Sequence, residues 1–277
     1  MRKIAASLIE QTVEELFIKA NLELPLDIED AIKKNVVQTK GLEQSVLNTL
    51  IQNMDVAREL EIPICQDTGM AVVFLEIGED VHINGLYDAV NSGVRNAYTS
   101  GGLRCSIVAD PLGRVNTNDN TPALIHTEIV QGDKLRITVM PKGFGSENMS
   151  AVKMLKPSDG RSGVISAVLE IVKNAGANAC PPMVIGVGIG GNFEQCALLA
   201  KKALCRSIDE VNSNEYYAGL ENELLKKINE LDIGAQGFGG SLTALGVNVE
   251  YAATHIAGLP MAVNIGCHVS RHRSKMI

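Results

Sequence analysis

The chain has 277 residues, 45% of them hydrophobic, with 25 Lys and Arg against 32 Asp and Glu for a formal charge of -7. That length supports one large or two modest domains with real cores. The acidic balance, with basic residues outnumbered and unclustered, argues against general nucleic-acid or anionic-membrane binding and leaves room for a small anionic ligand in a locally positive pocket.

The first sixty residues read as helices. Ile4, Leu8, Ile9, Val13, Leu16 and Phe17 recur at helical spacing, as do Leu42, Val46, Leu47, Leu50 and Ile51, with Pro25 and Pro63 as boundaries. Met70 to Ile77 is an apolar, β-branched run suited to a buried strand, and a helix follows between Leu86 and Tyr98. Ala123 to Val130 and Lys134 to Met140 flank Gln131-Gly132-Asp133, which reads as a hairpin. Val164 to Lys173 is expected to be helical, Met183 to Ile189 a strand, Glu194 to Arg206 a helix and Tyr217 to Leu231 a long helix. After the glycine-rich Gly234 to Gly240, extended runs are expected at Leu242 to Val249 and Met261 to Ile265. The expectation is an α+β fold over 1–277, with a mainly helical portion at 1–62, a mixed portion at 63–277 and no internal repeat. No apolar run reaches the ~20 residues of a membrane span, and the expected compartment is cytoplasmic. There, six cysteines suggest thiols or metal ligands rather than disulfides.

Three of those cysteines stand in turn-rich, polar settings: Cys65 in Ile64-Cys65-Gln66-Asp67-Thr68-Gly69, Cys180 in Ala179-Cys180-Pro181-Pro182, and Cys267 in Gly266-Cys267-His268. The others differ. Cys196 and Cys205 fall in an apparent helix, where nine residues at about 100° each place them on opposite faces. Cys105 sits in an extended apolar context and reads as a small packed hydrophobe. By spacing alone, Cys65, Cys180 and Cys267 are either metal ligands or inert thiols. Gly186, Gly188 and Gly191 satisfy G-x-G-x-x-G, with Asp209 and Glu215 near the distance of a ribose acid, but the strand runs on into the glycines; close packing is the better reading. Lys142-Gly143-Phe144-Gly145-Ser146-Glu147-Asn148 offers backbone N–H groups to an anion or is a plain turn. Arg104 can grip a carboxylate with two parallel hydrogen bonds. His255 lies among apolar residues and, taken alone, reads as a satisfied core or surface group rather than a catalyst. The tail His268, Arg271, His272, Arg273, Lys275 reads as a solvated basic end.

Taken together and in order along nearly the whole chain, these segments, with Asn116 to Ala123 and Thr254-His255, resemble the alpha subunit of the class I, iron-sulfur fumarate hydratase and L-tartrate dehydratase family. The resemblance implies that Cys65, Cys180 and Cys267 bind a [4Fe-4S] cluster whose fourth iron is open to substrate. It places Gln66, Asp67, Arg104, Lys142, Gly143, Gly145 and His255 around a small dicarboxylate, with Asp67 and His255 as the catalytic pair and Asp67 the foremost candidate for proton transfer. Cys105 stands where some members carry an aromatic residue. The implied reaction is reversible hydration of fumarate to (S)-malate, with L-tartrate dehydratase, mesaconate hydratase, or a redox-sensing or structural metal protein as rivals. Because one-chain members continue into a second catalytic domain beyond the position of Cys267, a separate beta subunit and an alpha2beta2 assembly are expected.

Overall fold

In the computed structural model, which describes residues 1–277, the elements run β1 (Arg2–Ile4), α1 (Ala6–Leu22), α2 (Leu26–Gln38), α3 (Gly41–Leu60), β2 (Met70–Gly78), β3 (Val81–Ile83), α4 (Leu86–Ser100), β4 (Leu124–Val130) and β5 (Leu135–Lys142). They continue with the one-turn α5 (Phe144–Glu147), then β6 (Ala151–Leu155), α6 (Gly160–Ala175), β7 (Met183–Gly191), α7 (Phe193–Ala203), α8 (Glu215–Asn229), β8 (Ala244–Thr254), β9 (Leu259–Gly266) and β10 (Arg273–Met276). The fold is α+β. Two compact units are each discontinuous in sequence: Met1–Pro25, Asn53–Phe144 and Arg271–Ile277 form the first, and Leu26–Gln52 with Gly145–Ser270 the second. No helix is long and apolar enough to cross a membrane.

The first unit is built on a sheet in the order β10-β5-β2-β4. β2 occupies an interior position because Ala71 to Leu75 are buried without alternation, the pattern of a strand covered on both faces. It pairs parallel with β4, Val72 opposite Leu124, and antiparallel with β5, Met70 opposite Lys142. The expected hairpin between β4 and β5 is therefore corrected: the two strands are consecutive but lie on either side of β2. Gln131-Gly132-Asp133 is a turn that crosses the end of β2, where Gly132 O accepts Asp80 N–H at 3.0 Å and Val130 O, just before the turn, accepts Glu79 N–H at 2.8 Å. Helices α1 and α4 cover the sheet with Ile9, Val13 and Phe17 from one and Val90, Val94 and Tyr98 from the other.

In the second unit the sheet order is β6-β9-β7-β8. Odd positions of β7, Met183, Ile185, Val187 and Ile189, join a core with Val168 and Val172 of α6 and Leu220 and Leu224 of α8. Even positions face α7 and include Gly186 and Gly188, where an added Cβ would stand 2.1 Å from Ala200 O and 2.0 Å from Cys196 O. The glycines are thus strand residues that let a helix backbone come close, which sets the dinucleotide reading aside. Gly188→Ala is expected to lower unfolding free energy by about 3 kcal/mol, from overpacking against helix backbone. Gly219→Ala in α8, where nothing lies within 4 Å of the new Cβ, should instead raise it by roughly 0.5–1 kcal/mol. Urea midpoints of the two variants check both signs.

No repeat is visible in the sequence, yet both sheets have the same plan. Each has a central strand, β2 or β7, flanked by a parallel strand and by the next strand in antiparallel sense, with a further antiparallel strand at the edge. The start of the central strand therefore lies beside the end of its antiparallel neighbour: Met70 opposite Lys142 in one unit, Val184 opposite Gly266 in the other. Both loops at that end carry the residues singled out above.

Candidate active site

In the first unit the turn Ile64–Gly69 leads into β2 and is fastened along its length. Ile64 donates its N–H to Asn21 O at 2.9 Å, and its carbonyl accepts Asn53 Nδ2 at 2.8 Å. The buried Tyr98 hydroxyl lies 2.7 Å from Thr68 O and 3.0 Å from Gly69 O, and Asn120 Nδ2 donates to Gly69 O at 3.2 Å. Burial holds the Tyr98 phenol above its ordinary pKa, against the opposing pull of the Arg271 guanidinium. Buried Thr68 accepts the Arg104 N–H at 3.0 Å and donates its hydroxyl to Arg104 O at 3.2 Å. The backbone of Arg104 is thereby tied to the turn while its side chain stays exposed.

Asp67 is the most constrained side chain here. Oδ1 accepts Gly69 N–H at 3.0 Å and Oδ2 accepts Phe144 N–H at 2.8 Å, so the carboxylate is oriented by two backbone donors, one just before β2 and one just after its neighbour β5. A Cβ at Gly143 would stand 3.2 Å from Oδ2. At least one N–H of the glycine-rich loop is thus committed to Asp67, and Lys142, 5% exposed, turns Nζ back to Gly143 O at 3.1 Å. Cys65 Sγ accepts Asp67 N–H at 3.4 Å and lies 3.5 Å from Gln66 Oε1. Cys65 is partly exposed and Gln66 exposed. Cys65, Gln66, Asp67, Arg104, Lys142 and Gly143 are accordingly assembled by one unit.

The second unit brings Cys180 and Cys267 to one end of its sheet. Cys180 closes the short 3-10 turn Gly176–Ala179 in left-handed backbone, φ 52° and ψ 62°, and is exposed. Its carbonyl accepts His268 N–H at 3.1 Å, which links the two cysteine loops directly. Gly145, the first residue of the second unit's longer segment, is exposed. His255 is not placed with these thiols. It is exposed in the turn after β8, its Nδ1 accepting Ala257 N–H at 3.1 Å, and Thr254 beside it pairs with Gly191 at the far end of β7. The nine residues of β7 at ~3.3 Å each separate that turn from the Cys180 end by on the order of 25 Å.

None of the six cysteines is paired in a disulfide. Cys105 packs partly buried against the first core, as expected, and burial raises its thiol pKa. Cys196 is buried in α7 with its thiol raised by desolvation. Cys205 lies just beyond α7, which ends at Ala203, and burial pushes its thiol up to about 12. These three are less suited to supply thiolates. No group of three or more His, Cys, Asp and Glu side chains is arranged around a single metal ion; a cubane cluster takes one thiolate per corner and needs no such convergence.

The basic tail is where the sequence reading needs correction. Arg271 is 3% exposed and donates Nη2 to Asp67 O, while Nε and Nη1 are buried without a protein partner. The physical reason is that the chain re-enters the first unit here to form β10, antiparallel to β5. Arg273 and Lys275 pair with Glu23 and Glu15 at 3.1 and 3.2 Å. Gln236 was also missed, inside a segment notable only for its glycines; it donates both its backbone N–H and Nε2 to Pro181 O, each at 2.7 Å.

The family model described as "Fumarate hydratase (Fumerase)" matches residues 10–275. Among curated proteins, "Putative L(+)-tartrate dehydratase subunit alpha" of Methanocaldococcus jannaschii is 41% identical over 278 aligned residues, covering 97% of each chain. L(+)-tartrate dehydratase subunit alpha of an Escherichia coli strain is 32% identical, over 96% of this chain and 90% of its own. The Shigella sonnei protein of the same name is 31% identical, over 99% and 92%.

Proposed function

The chain belongs to the fumarate hydratase (Fumerase) family, and from that membership we propose that it is the alpha subunit of an iron-sulfur hydro-lyase that adds or removes water on a small dicarboxylate. The observation that carries this reading is the match along 10–275 combined with relatives, named as alpha subunits, that align over nearly their full length. Fumarate and (S)-malate are the first substrate pair. L(+)-tartrate is the second reading, favoured by the names of the aligned relatives. A separate beta subunit completes the enzyme, in an alpha2beta2 assembly.

Cys65, Cys180 and Cys267 would hold a [4Fe-4S] cluster. The donor set fits: three unpaired cysteines in loops, one exposed and two partly exposed, with the remaining three in settings where burial disfavours the thiolate. Bound at three corners, such a cluster supplies Lewis acidity at its open iron. The chain's own residues do the rest. Arg104, its backbone held by Thr68, presents an exposed guanidinium that can grip a substrate carboxylate through two parallel hydrogen bonds. Gln66 offers an amide beside it. Asp67, held by Gly69 and Phe144 N–H, is oriented to take or return the proton on the carbon next to the hydroxyl-bearing one. His255 stands at the far end of β7, so its part at a site on the Cys180 end requires a second copy of the chain, as an alpha2beta2 enzyme contains.

The test is anaerobic reconstitution with the beta subunit, followed by assays on malate, fumarate, L(+)-tartrate and mesaconate. Turnover of one of these substrates is expected only when both chains and iron are present. Full activity from this chain alone would remove the beta subunit from the reading. A stable zinc site with no response to any of the four acids would overturn the enzyme itself.

A further inference from the structure

The strongest set of contacts not used above surrounds the peptide that follows Cys180. Of the seven non-glycine residues in positive-φ backbone, two stand in loops that meet: Cys180 at φ 52° and Gln236 at φ 53°, ψ 17°. Such a conformation costs a residue with a side chain on the order of 1–3 kcal/mol and persists only when its surroundings over-determine it. Here they do. Gln236 places two donors on the single carbonyl of Pro181, N–H and Nε2, each at 2.7 Å. His268 Nδ1 lies 3.1 Å from Gln236 Nε2 and 3.1 Å from Cys180 O, and His268 N–H donates to the same Cys180 carbonyl at 3.1 Å. The loop that carries Gln236 is seated against the 3-10 turn before Cys180: at Gly237, φ +79°, an added Cβ would stand 2.3 Å from Ala177 Cβ. One amide side chain thus joins the Cys180 loop to the residue that follows Cys267.

We infer that Gln236 is a positioning residue for the cluster thiols: by capping Pro181 O and meeting His268, it holds Cys180 in its outward-facing turn and in register with Cys267. The inference rests on the ligand assignment of the preceding section and adds a residue to it. A metal ligand's orientation is set by the groups that hydrogen-bond around it, and loss of such a partner commonly costs 10–100-fold in metal affinity or activity. The same logic extends to the groups that hold the backbone of a ligand residue in left-handed conformation.

Two variants separate the amide from the fold. Gln236→Glu preserves size and backbone preference but presents acceptor oxygens to the Pro181 carbonyl; Gln236→Gly removes the side chain and tolerates positive φ. After anaerobic reconstitution of the complete enzyme, both variants should lose iron in air at least three-fold faster than wild type, with an altered cluster spectrum. A second measurement needs no cluster. In the iron-free chain, the ratio of Cys180 to Cys65 alkylation rates, read by peptide mapping, should rise at least three-fold in both variants while the Cys65 rate stays constant. Wild-type iron retention together with an unchanged alkylation ratio would overturn the role of Gln236. Cys180→Ser, run in parallel, keeps the two claims apart: if it retains full iron and the wild-type spectrum, the ligand assignment fails; if it loses the cluster while the Gln236 variants match wild type, only the positioning role fails.

Discussion

Asp67→Asn in the complete enzyme is expected to lower kcat by roughly 10²–10⁴-fold, the usual worth of a positioned proton-transfer group, with iron content unchanged and KM altered by no more than about three-fold. The substitution keeps the shape of the side chain but replaces one of two acceptor oxygens with an NH2 group. Gly69 N–H and Phe144 N–H, which now face separate oxygens at 3.0 and 2.8 Å, cannot both be satisfied by the amide. Some stability is therefore lost at the turn, about 1–3 kcal/mol for an unsatisfied donor, and a thermal midpoint measured on the same sample separates this from chemistry. A kcat within three-fold of wild type would exclude Asp67 from proton transfer. A large rise in KM with kcat preserved would reassign it to substrate binding.

The largest effect on the cofactor is expected from the three thiols themselves. Cys65→Ser, Cys180→Ser and Cys267→Ser should each abolish stable cluster binding and reduce turnover to background, a fall of at least about 10³-fold if the open iron provides the main stabilisation of the departing hydroxyl. Cys105→Ser, Cys196→Ala and Cys205→Ser should retain the wild-type iron content, because burial disfavours the thiolate form at each of them. Iron analysis and the cluster's visible absorption on anaerobically reconstituted protein read both sets. Full iron in any one of the first three variants would remove that cysteine from the ligand set.

Much of this arrangement was legible residue by residue. The unbroken apolar run of β2 announced a buried strand and the run of β7 a strand, and helical periodicity located α1, α3, α4, α6, α7 and α8. What local sequence cannot state is which strand lies beside which. Gln131-Gly132-Asp133 has the composition of a hairpin turn, and it is a turn, but the partner of β5 is decided by burial of β2 on both faces. The short strands β1, β3, β6 and β10 escaped notice because three to five residues carry too few alternations to stand out. In the site, Cys65, Asp67 and Arg104 could be picked out by their turn context and chemistry, whereas Gln236 and Arg271 act through backbone carbonyls 55 and 204 residues away. A carbonyl has no sequence identity, so nothing in the residues around either partner marks the pairing.

The return of the chain as β10 has a consequence for how the protein comes into being on the ribosome. Roughly 130 residues separate the end of β5 from the start of β10, on the order of ten seconds of translation at ~5–20 residues per second. Throughout that interval the first sheet has only three of its strands, with one side of β5 unpaired, and the carbonyl of Asp67 awaits Arg271. The second unit, whose residues end at Ser270, has all of its chain available before the first does. The order of completion is thus the reverse of the order of synthesis, and the turn that holds Asp67 is among the last parts to be locked. A nascent chain halted before Arg271 should therefore protect the second unit from protease while leaving β5 and the Asp67 turn open to cleavage.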